Sequence, residues 1–261
     1  MKSITSPHSV KNIEKESELL TQMPITQHLI ILRKHVFRIV VVLLLLFFCL
    51  LPFANTTYQL LSEPLRAQLP IHSTMIATDV TATFMAPFKL NFFVALLLAM
   101  PFILYQLWSY VQPALYQKEK AFALPMLIGS IALFYIGIAF AYCVALPSIL
   151  HFFIHISPET VAPMTDINSY LSFCLKLFLV FGFTFEIPMI TLLSVLIGIV
   201  TTQQLVAKRR FIIVGCFFIA MFVTPPDALS MIMLAIPMWM LFEFGLLLSK
   251  IIEKRIQLKS S

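Results

Sequence analysis

Glu186 is the one charged side chain in a 24-residue run, LFLVFGFTFEIPMITLLSVLIGIV, at residues 177–200. An acidic group near the middle of such a run costs about 2.5–3.5 kcal/mol on membrane-insertion scales. It is therefore expected to face protein or a water-filled cavity rather than lipid. Two roles fit it: a hydrogen-bonded carboxyl that locks helices together, or a polar wall of a functional cavity. Glu243 lies deep in the last apolar run. There it either glues two helices together or snorkels toward the inner face, or it serves function directly. His151 and His155 have the i, i+4 spacing of a metal-binding pair, but no third ligand is near in sequence and FFIHIS is apolar. An interfacial helix carrying two histidines is the expectation. Cys49, Cys143, Cys174 and Cys216 are scattered, without a CxxC pair or a nearby His. They read as core or lipid-facing residues. There is no HExxH, GxSxG or P-loop. Neither an enzyme nor a cofactor is expected.

The elements that must position these groups follow from composition. Of 261 residues, 60% are hydrophobic and 11% charged, and the mean hydropathy is +0.94. This is an integral membrane protein rather than a soluble domain. The net charge of +6 is spread along the chain instead of gathered into a patch, so nucleic acid is not an expected partner. No internal repeat is visible, which favours one polytopic domain at 25–254 between a polar extension at 1–24 and a tail at 255–261. The first apolar run follows a polar stretch and lacks a small-residue cleavage site, so it reads as a signal anchor.

Six apolar segments are expected, at about 36–53, 86–107, 122–146, 170–195, 211–223 and 229–248. Pro101 is expected to interrupt the second, and Pro188 to kink the fourth and free a carbonyl beside Glu186. The fifth and sixth helices are expected to be short. The fifth gives only about 20 Å of helix against a hydrocarbon core of about 30 Å. It must thin the bilayer or bury its ends in protein. With the N-terminus inside, 15 of the 18 Lys and Arg residues fall on inner segments, leaving Arg66, Lys89 and Lys176. Both termini are therefore expected to be cytoplasmic. The first outer loop, about 54–85, contains an amphipathic stretch that Pro64 should kink or end. The last outer turn, TPPD, ends in Asp227, an expected cap for the sixth helix.

Several local patterns occur in order: STMIATDVTATFMAPFKL, PFILYQLWSYVQPALYQKEK, LFYIGIAFAYCVALP, YLSFCLKLFLVFGFTFEIP, KRR, and TPPDALS followed by AIPMWMLFEFG. Together they resemble TatC, the multispanning receptor subunit of the twin-arginine protein translocase, over about residues 24–254. The resemblance implies an all-α fold of six transmembrane helices with a concave face, in the bacterial cytoplasmic (inner) membrane. It implies binding of folded precursor proteins through paired arginines of their signals. It further implies assembly, in multiple copies, with single-span TatA- and TatB-type subunits, driven by the proton-motive force without ATP.

The resemblance also implies roles for residues. Glu119 matches the family's loop glutamate, and a carboxylate is what a guanidinium needs for paired parallel hydrogen bonds. Tyr110, Pro113 and Tyr116 shape the same loop. The segment PITQHLIILRKHVFR, with Leu29 and Arg33, is the second recognition patch. There Ile31 stands where the family usually carries an acid, so arginine recognition is expected to lean on Glu119. Glu186 matches the family's intramembrane glutamate. Met221, Thr224 and Met231 lie along the seam where the family docks its partner spans, and Met231 replaces a frequent glutamine. Pro64, Asp227 and Glu243 are assigned to structure or assembly. An ion-coupled secondary transporter is the rival reading from the charges in spans, but the inverted repeat and paired broken helices of such folds are lacking.

Overall fold

The computed structural model describes residues 25–54, 56, 75–76, 80–111, 123–156, 165–223 and 228–260. Apolar helices account for nearly all of them. α1 (Ile25–Leu50) closes in a 3₁₀ turn, Leu51–Phe53, built on Pro52. α2 (Val80–Val111) contains Pro87 and Pro101 yet continues through both. Pro101 therefore does not interrupt the second span as expected: neighbouring helices supply the packing that carries a helix past a proline. α3 (Ala123–Phe140) passes through a π-helical segment, Ala141–Ala145, directly into α4 (Leu146–Ile156). α5 (Ile167–Thr184) and α6 (Ile187–Leu196) form the fourth span. α7 (Thr202–Ala207), α8 (Arg209–Val223) and α9 (Ala228–Ser260) complete the chain.

Among the described residues, five helical stretches are long and apolar enough to cross a bilayer: Ile30–Phe53, Met85–Tyr110, Leu124–Phe152, Asn168–Leu196 and Met231–Glu253. α8 is the remaining candidate. Its 15 residues reach about 22 Å at 1.5 Å per residue, in line with a short fifth helix. The sixth helix is not short. α9 has 33 residues, about 50 Å, because LSKIIEKRIQLKS continues the helix beyond the apolar stretch that hydropathy marks.

Connections at the two ends define the bundle. At what we term the near end, α1 begins, α2 ends, α3 begins, α6 ends and α9 finishes. At the far end a two-residue parallel pairing, Met75↔Thr165 and Ile76↔Asp166, joins β1 (Met75–Ile76) to β2 (Thr165–Asp166). Asp166 then caps α5: its Oδ2 accepts from the Ser169 backbone N at 2.9 Å and from Ser169 Oγ at 2.8 Å. Lys89 Nζ donates to Asn168 Oδ1 at 2.7 Å and to Ser172 Oγ at 3.3 Å, tying α2 to α5 there.

The main core gathers Leu90, Phe93, Leu146, Ile149, Cys174, Phe178 and Phe181 from α2, α4 and α5. Small residues set how closely the helices approach. A Cβ added to Gly137 would lie 2.8 Å from the Phe181 carbonyl oxygen, and one added to Gly182 would lie 2.7 Å from Phe134 Cε2. α3 and α5 thus notch into each other at paired glycines. A Cβ on Gly245 would lie 2.6 Å from Pro188 Cα, so α9 crosses α6 just beyond Glu186. α1 packs against α2, and none of its described side chains is buried. Asn91, fully buried on α2, donates to the Phe47 carbonyl at 3.2 Å and fixes that pairing.

Candidate functional site

Two polar regions stand out in this apolar bundle. One joins α1 to α2 at the near end. His35 Nδ1 and Gln106 Oε1 are 2.6 Å apart, and the His35 ring meets Tyr110 edge-on at 6.0 Å between centroids. With Gln106 Oε1 accepting, Nδ1 carries the proton. Gln106 is buried, whereas Ile30, Ile31, Leu32 and Arg33 on the preceding turn of α1 are exposed. The segment expected to lie beside the headgroups is continuous with the first span as one helix, so its surface is held in fixed relation to Tyr110 and the end of α2. Leu29 lies on the same helix, and its side chain falls outside the described residues. So do Glu119, Pro113 and Tyr116, in the segment that leaves α2.

The second region surrounds Glu186. The break between α5 and α6 falls on Phe185 and Glu186, and Pro188 in the first turn of α6 has no backbone N–H to donate. The Glu186 backbone N turns back to the Phe183 carbonyl at 3.1 Å, and Ile190 N takes up the Glu186 carbonyl at 2.9 Å. The expected break is thus present. The span runs Asn168–Leu196, so Glu186 sits in its middle third, about 15 Å from Leu196. The side chain is 6% exposed. Ser130 of α3 lies beside its carboxyl. Ser130 Oγ in turn accepts from Trp108 Nε1 of α2 at 3.2 Å. The Glu186 oxygen Oε1 is buried with no hydrogen-bond partner among the described residues. Around the cluster lie Trp108, Met126, Leu192 and Leu196, with Met189 packed against them.

Glu243 belongs to neither region. Its Oε2 accepts from Arg209 NH2 at 2.6 Å, joining α9 to the first turn of α8. One turn past α6, Thr201 and Gln204 form a reciprocal capping box that starts α7. Gly198 makes the turn before it at φ +77°, a backbone conformation that glycine alone adopts without strain. Thr202 Oγ1 donates to Glu253 Oε2 at 2.7 Å, which fastens α7 to α9.

The remaining expected site residues separate. Met221 is half exposed on α8, while Met231 on α9 packs against the main core. Thr224, Asp227 and Pro64 lie outside the described residues. The cysteines carry free thiols, with Cys174 and Cys216 buried and Cys49 and Cys143 exposed. His151 is exposed on α4, and the side chain of His155 is outside the described residues. Among the described residues no three potential ligands cluster as for a metal. Sequence reading passed over Ser130, Trp108, Gln106 and His35. Lone polar groups in apolar spans were the available signal, since each needs a partner there.

The comparisons with known proteins agree with this architecture. The family of Sec-independent protein translocase proteins (TatC) matches residues 27–237. A TatC protein of Azotobacter chroococcum mcd 1 is 48% identical over 233 residues, covering 89% of this chain and 91% of that protein. The TatC of Escherichia coli K12 is 47% identical over 227 residues, covering 87% and 88%. A crystal structure described as the twin arginine translocase receptor TatC superposes with a TM-score of 0.77 at 32% identity, covering 86% of this chain and 98% of the other. This multi-pass membrane protein is a transport component rather than an enzyme, and it belongs to the TatC family of Sec-independent protein translocase subunits.

Proposed function

We propose that this chain is the receptor of a twin-arginine translocase in the bacterial inner membrane. It binds the paired arginines of folded precursor proteins at the near end, which is cytoplasmic. It then nucleates an export site with single-span TatA- and TatB-type subunits, in several copies and driven by the proton-motive force. One observation carries most of the reading. The His35–Gln106 bond and the His35–Tyr110 contact fasten the exposed turn of α1 beside the end of α2, and the segment carrying Glu119 follows that end in sequence. The crystal structure it resembles is itself described as a twin-arginine receptor.

In this reading Glu119 supplies the carboxylate for a guanidinium, with Tyr110, Pro113 and Tyr116 packing around the signal. The α1 surface of Leu29, Ile31 and Arg33 offers apolar contact instead of a second carboxylate. Glu186 lines the membrane-embedded part of the path and acts after recognition. Partner spans dock along α8, where Met221 is accessible beside Phe218 and Phe222. The inward packing of Met231 takes that residue away from the contact.

Photocrosslinking tests the receptor role. A photoreactive residue at position 110 or 119, in membranes containing the full complex, should capture a twin-arginine precursor and lose it when the pair is changed to lysines. Equal capture of both precursors would refute arginine-specific recognition at this surface.

A further inference from the structure

Lys89 and Lys176 are two of the three basic residues that the inner segments do not account for, and the fold brings them together. α2 and α5 enter the bundle side by side at the far end, where β1 and β2 pair just ahead of them. Lys89 Nζ donates across to Asn168 Oδ1 at 2.7 Å and to Ser172 Oγ at 3.3 Å. Ser172 and Lys176 are four residues apart on α5, so they share one face with about 5–6 Å between their Cβ atoms. Two ammonium groups therefore converge on one turn of helix.

Among the described residues no carboxylate pairs with either lysine, since the ion pair found there is Arg209–Glu243. Asp166 turns its Oδ2 to the first turn of α5. Lys89 commits two of its three N–H donors to neutral oxygens, and exposed Lys176 has no hydrogen-bond partner among the described residues. Like charges this close repel, and an apolar surround screens them poorly. The arrangement calls for an anion, and depth indicates which kind. Lys89 is four residues into the apolar stretch Met85–Tyr110, and Lys176 is eight into Asn168–Leu196, about 6 and 12 Å along the axes. Both helices start at the far end, so both side chains lean back toward it. A snorkelling lysine stem carries its head to the level of the lipid phosphates. Deeper in the bilayer α5 keeps an open strip: Lys176 and Phe183 are exposed seven residues apart, with Leu179 half-buried between them.

We propose that Lys89 and Lys176 form a binding site for an anionic phospholipid of the far leaflet, with the phosphate on the two ammonium groups and an acyl chain along Leu179 and Phe183. The site is independent of the receptor reading and requires only that the bundle spans a bilayer. Lys176 is its decisive member, being the one charged residue between Asp166 and Glu186. Lys89 also ties α2 to α5, whereas Lys176 has no such second duty among the described residues. Without the two cations, a chain lying on the strip exchanges freely with bulk lipid.

The test titrates the purified full-length chain with phosphatidylglycerol in detergent and reads retained lipid by native mass spectrometry. Phosphatidylcholine is the control lipid, and glycerol phosphate supplies the headgroup chemistry without chains. Phosphatidylglycerol should be retained over phosphatidylcholine. Lys176→Gln should weaken its apparent affinity about fivefold, and Lys176→Arg should keep it. Lys89→Gln retains a donor for Asn168 and should weaken it to a similar degree. The double variant should bring it down to the phosphatidylcholine level, whereas Lys250→Gln, exposed at the near end, should change nothing. If the double variant does not fold, Lys176→Gln alone decides. Wild-type retention of phosphatidylglycerol in Lys176→Gln overturns the site. Displacement of the lipid by equimolar glycerol phosphate overturns it too, in favour of a free phosphate. Unchanged lipid retention with loss of a co-purifying single-span subunit would assign the lysines instead to a carboxylate in that subunit's span.

Discussion

Glu186 and Glu243 are both carboxylates in apolar helices, and the bundle treats them in opposite ways. Glu243 is paired with a cation, Arg209, at 2.6 Å, and both side chains are partly exposed. Glu186 is buried with no ion-pair partner among the described residues, and its Oε1 has no hydrogen-bond partner among them. The Arg209–Glu243 pair joins two helices, although Glu243 Oε1 and Arg209 Nε are themselves buried with no hydrogen-bond partner among the described residues. Each carboxyl keeps one buried oxygen without a described partner, which costs stability, but only Glu243 offsets that cost with a cation. In the proposed function this difference in partners separates a fastening, Glu243, from a working group, Glu186. The two sites are also physically adjoined: Gly245, two residues after Glu243, presses on Pro188, two residues after Glu186.

That adjacency gives the largest expected effect. Gly245→Val has no room against Pro188 Cα and should destabilise the protein by about 1–3 kcal/mol, lowering the thermal midpoint in detergent and disturbing both carboxylates. An unchanged midpoint would show that the two helices are not held at that point. Glu186→Gln comes next. Export into inverted vesicles should fall about tenfold, corresponding to about 1.4 kcal/mol, while signal-peptide affinity and thermal midpoint stay near wild type. Lost affinity with intact export competence would return Glu186 to the recognition surface.

For the fastening, Arg209→Ala and Glu243→Gln should each destabilise by about 0.5–1 kcal/mol with export retained, and the double-mutant cycle should return a coupling of similar size. Additive effects would mean that the pair contributes nothing. The smallest change concerns a carboxylate the chain lacks. Ile31→Glu adds an acid on the exposed turn of α1 and should tighten binding of a twin-arginine signal about twofold at low salt, with the gain fading as salt rises. No gain in a titration of the purified protein would show that this turn does not meet the arginines.

Much of this arrangement was legible in the sequence, and the part that was not has a common cause. Hydropathy located the spans, the shortness of the fifth helix and the cost of Glu186, because each is a property of one continuous stretch. It stopped α9 at residue 248, since the helix continues as a polar rod that has no hydropathy signal. It placed a break at Pro101, where flanking helices carry α2 onward. The π-helical segment Ala141–Ala145 was not anticipated, as nothing in AYCVA differs from ordinary helix former content. The partners of the polar groups were hardest to see. Arg209 is 34 residues from Glu243 and His35 is 71 from Gln106, so these pairings are created by packing and leave no local pattern. Met231, expected along the partner-docking seam, is partly buried against the main core, a placement that packing likewise decides.

The order of these polar groups along the chain has a consequence for biogenesis. Trp108 and Ser130 both precede Glu186, and Arg209 precedes Glu243. Chains are made from the N-terminus, so each carboxylate reaches the membrane only after the group that receives it has already been synthesised. Neither acid need wait in lipid for a later helix to arrive, and the insertion machinery can release the fourth and sixth spans directly onto a waiting polar partner.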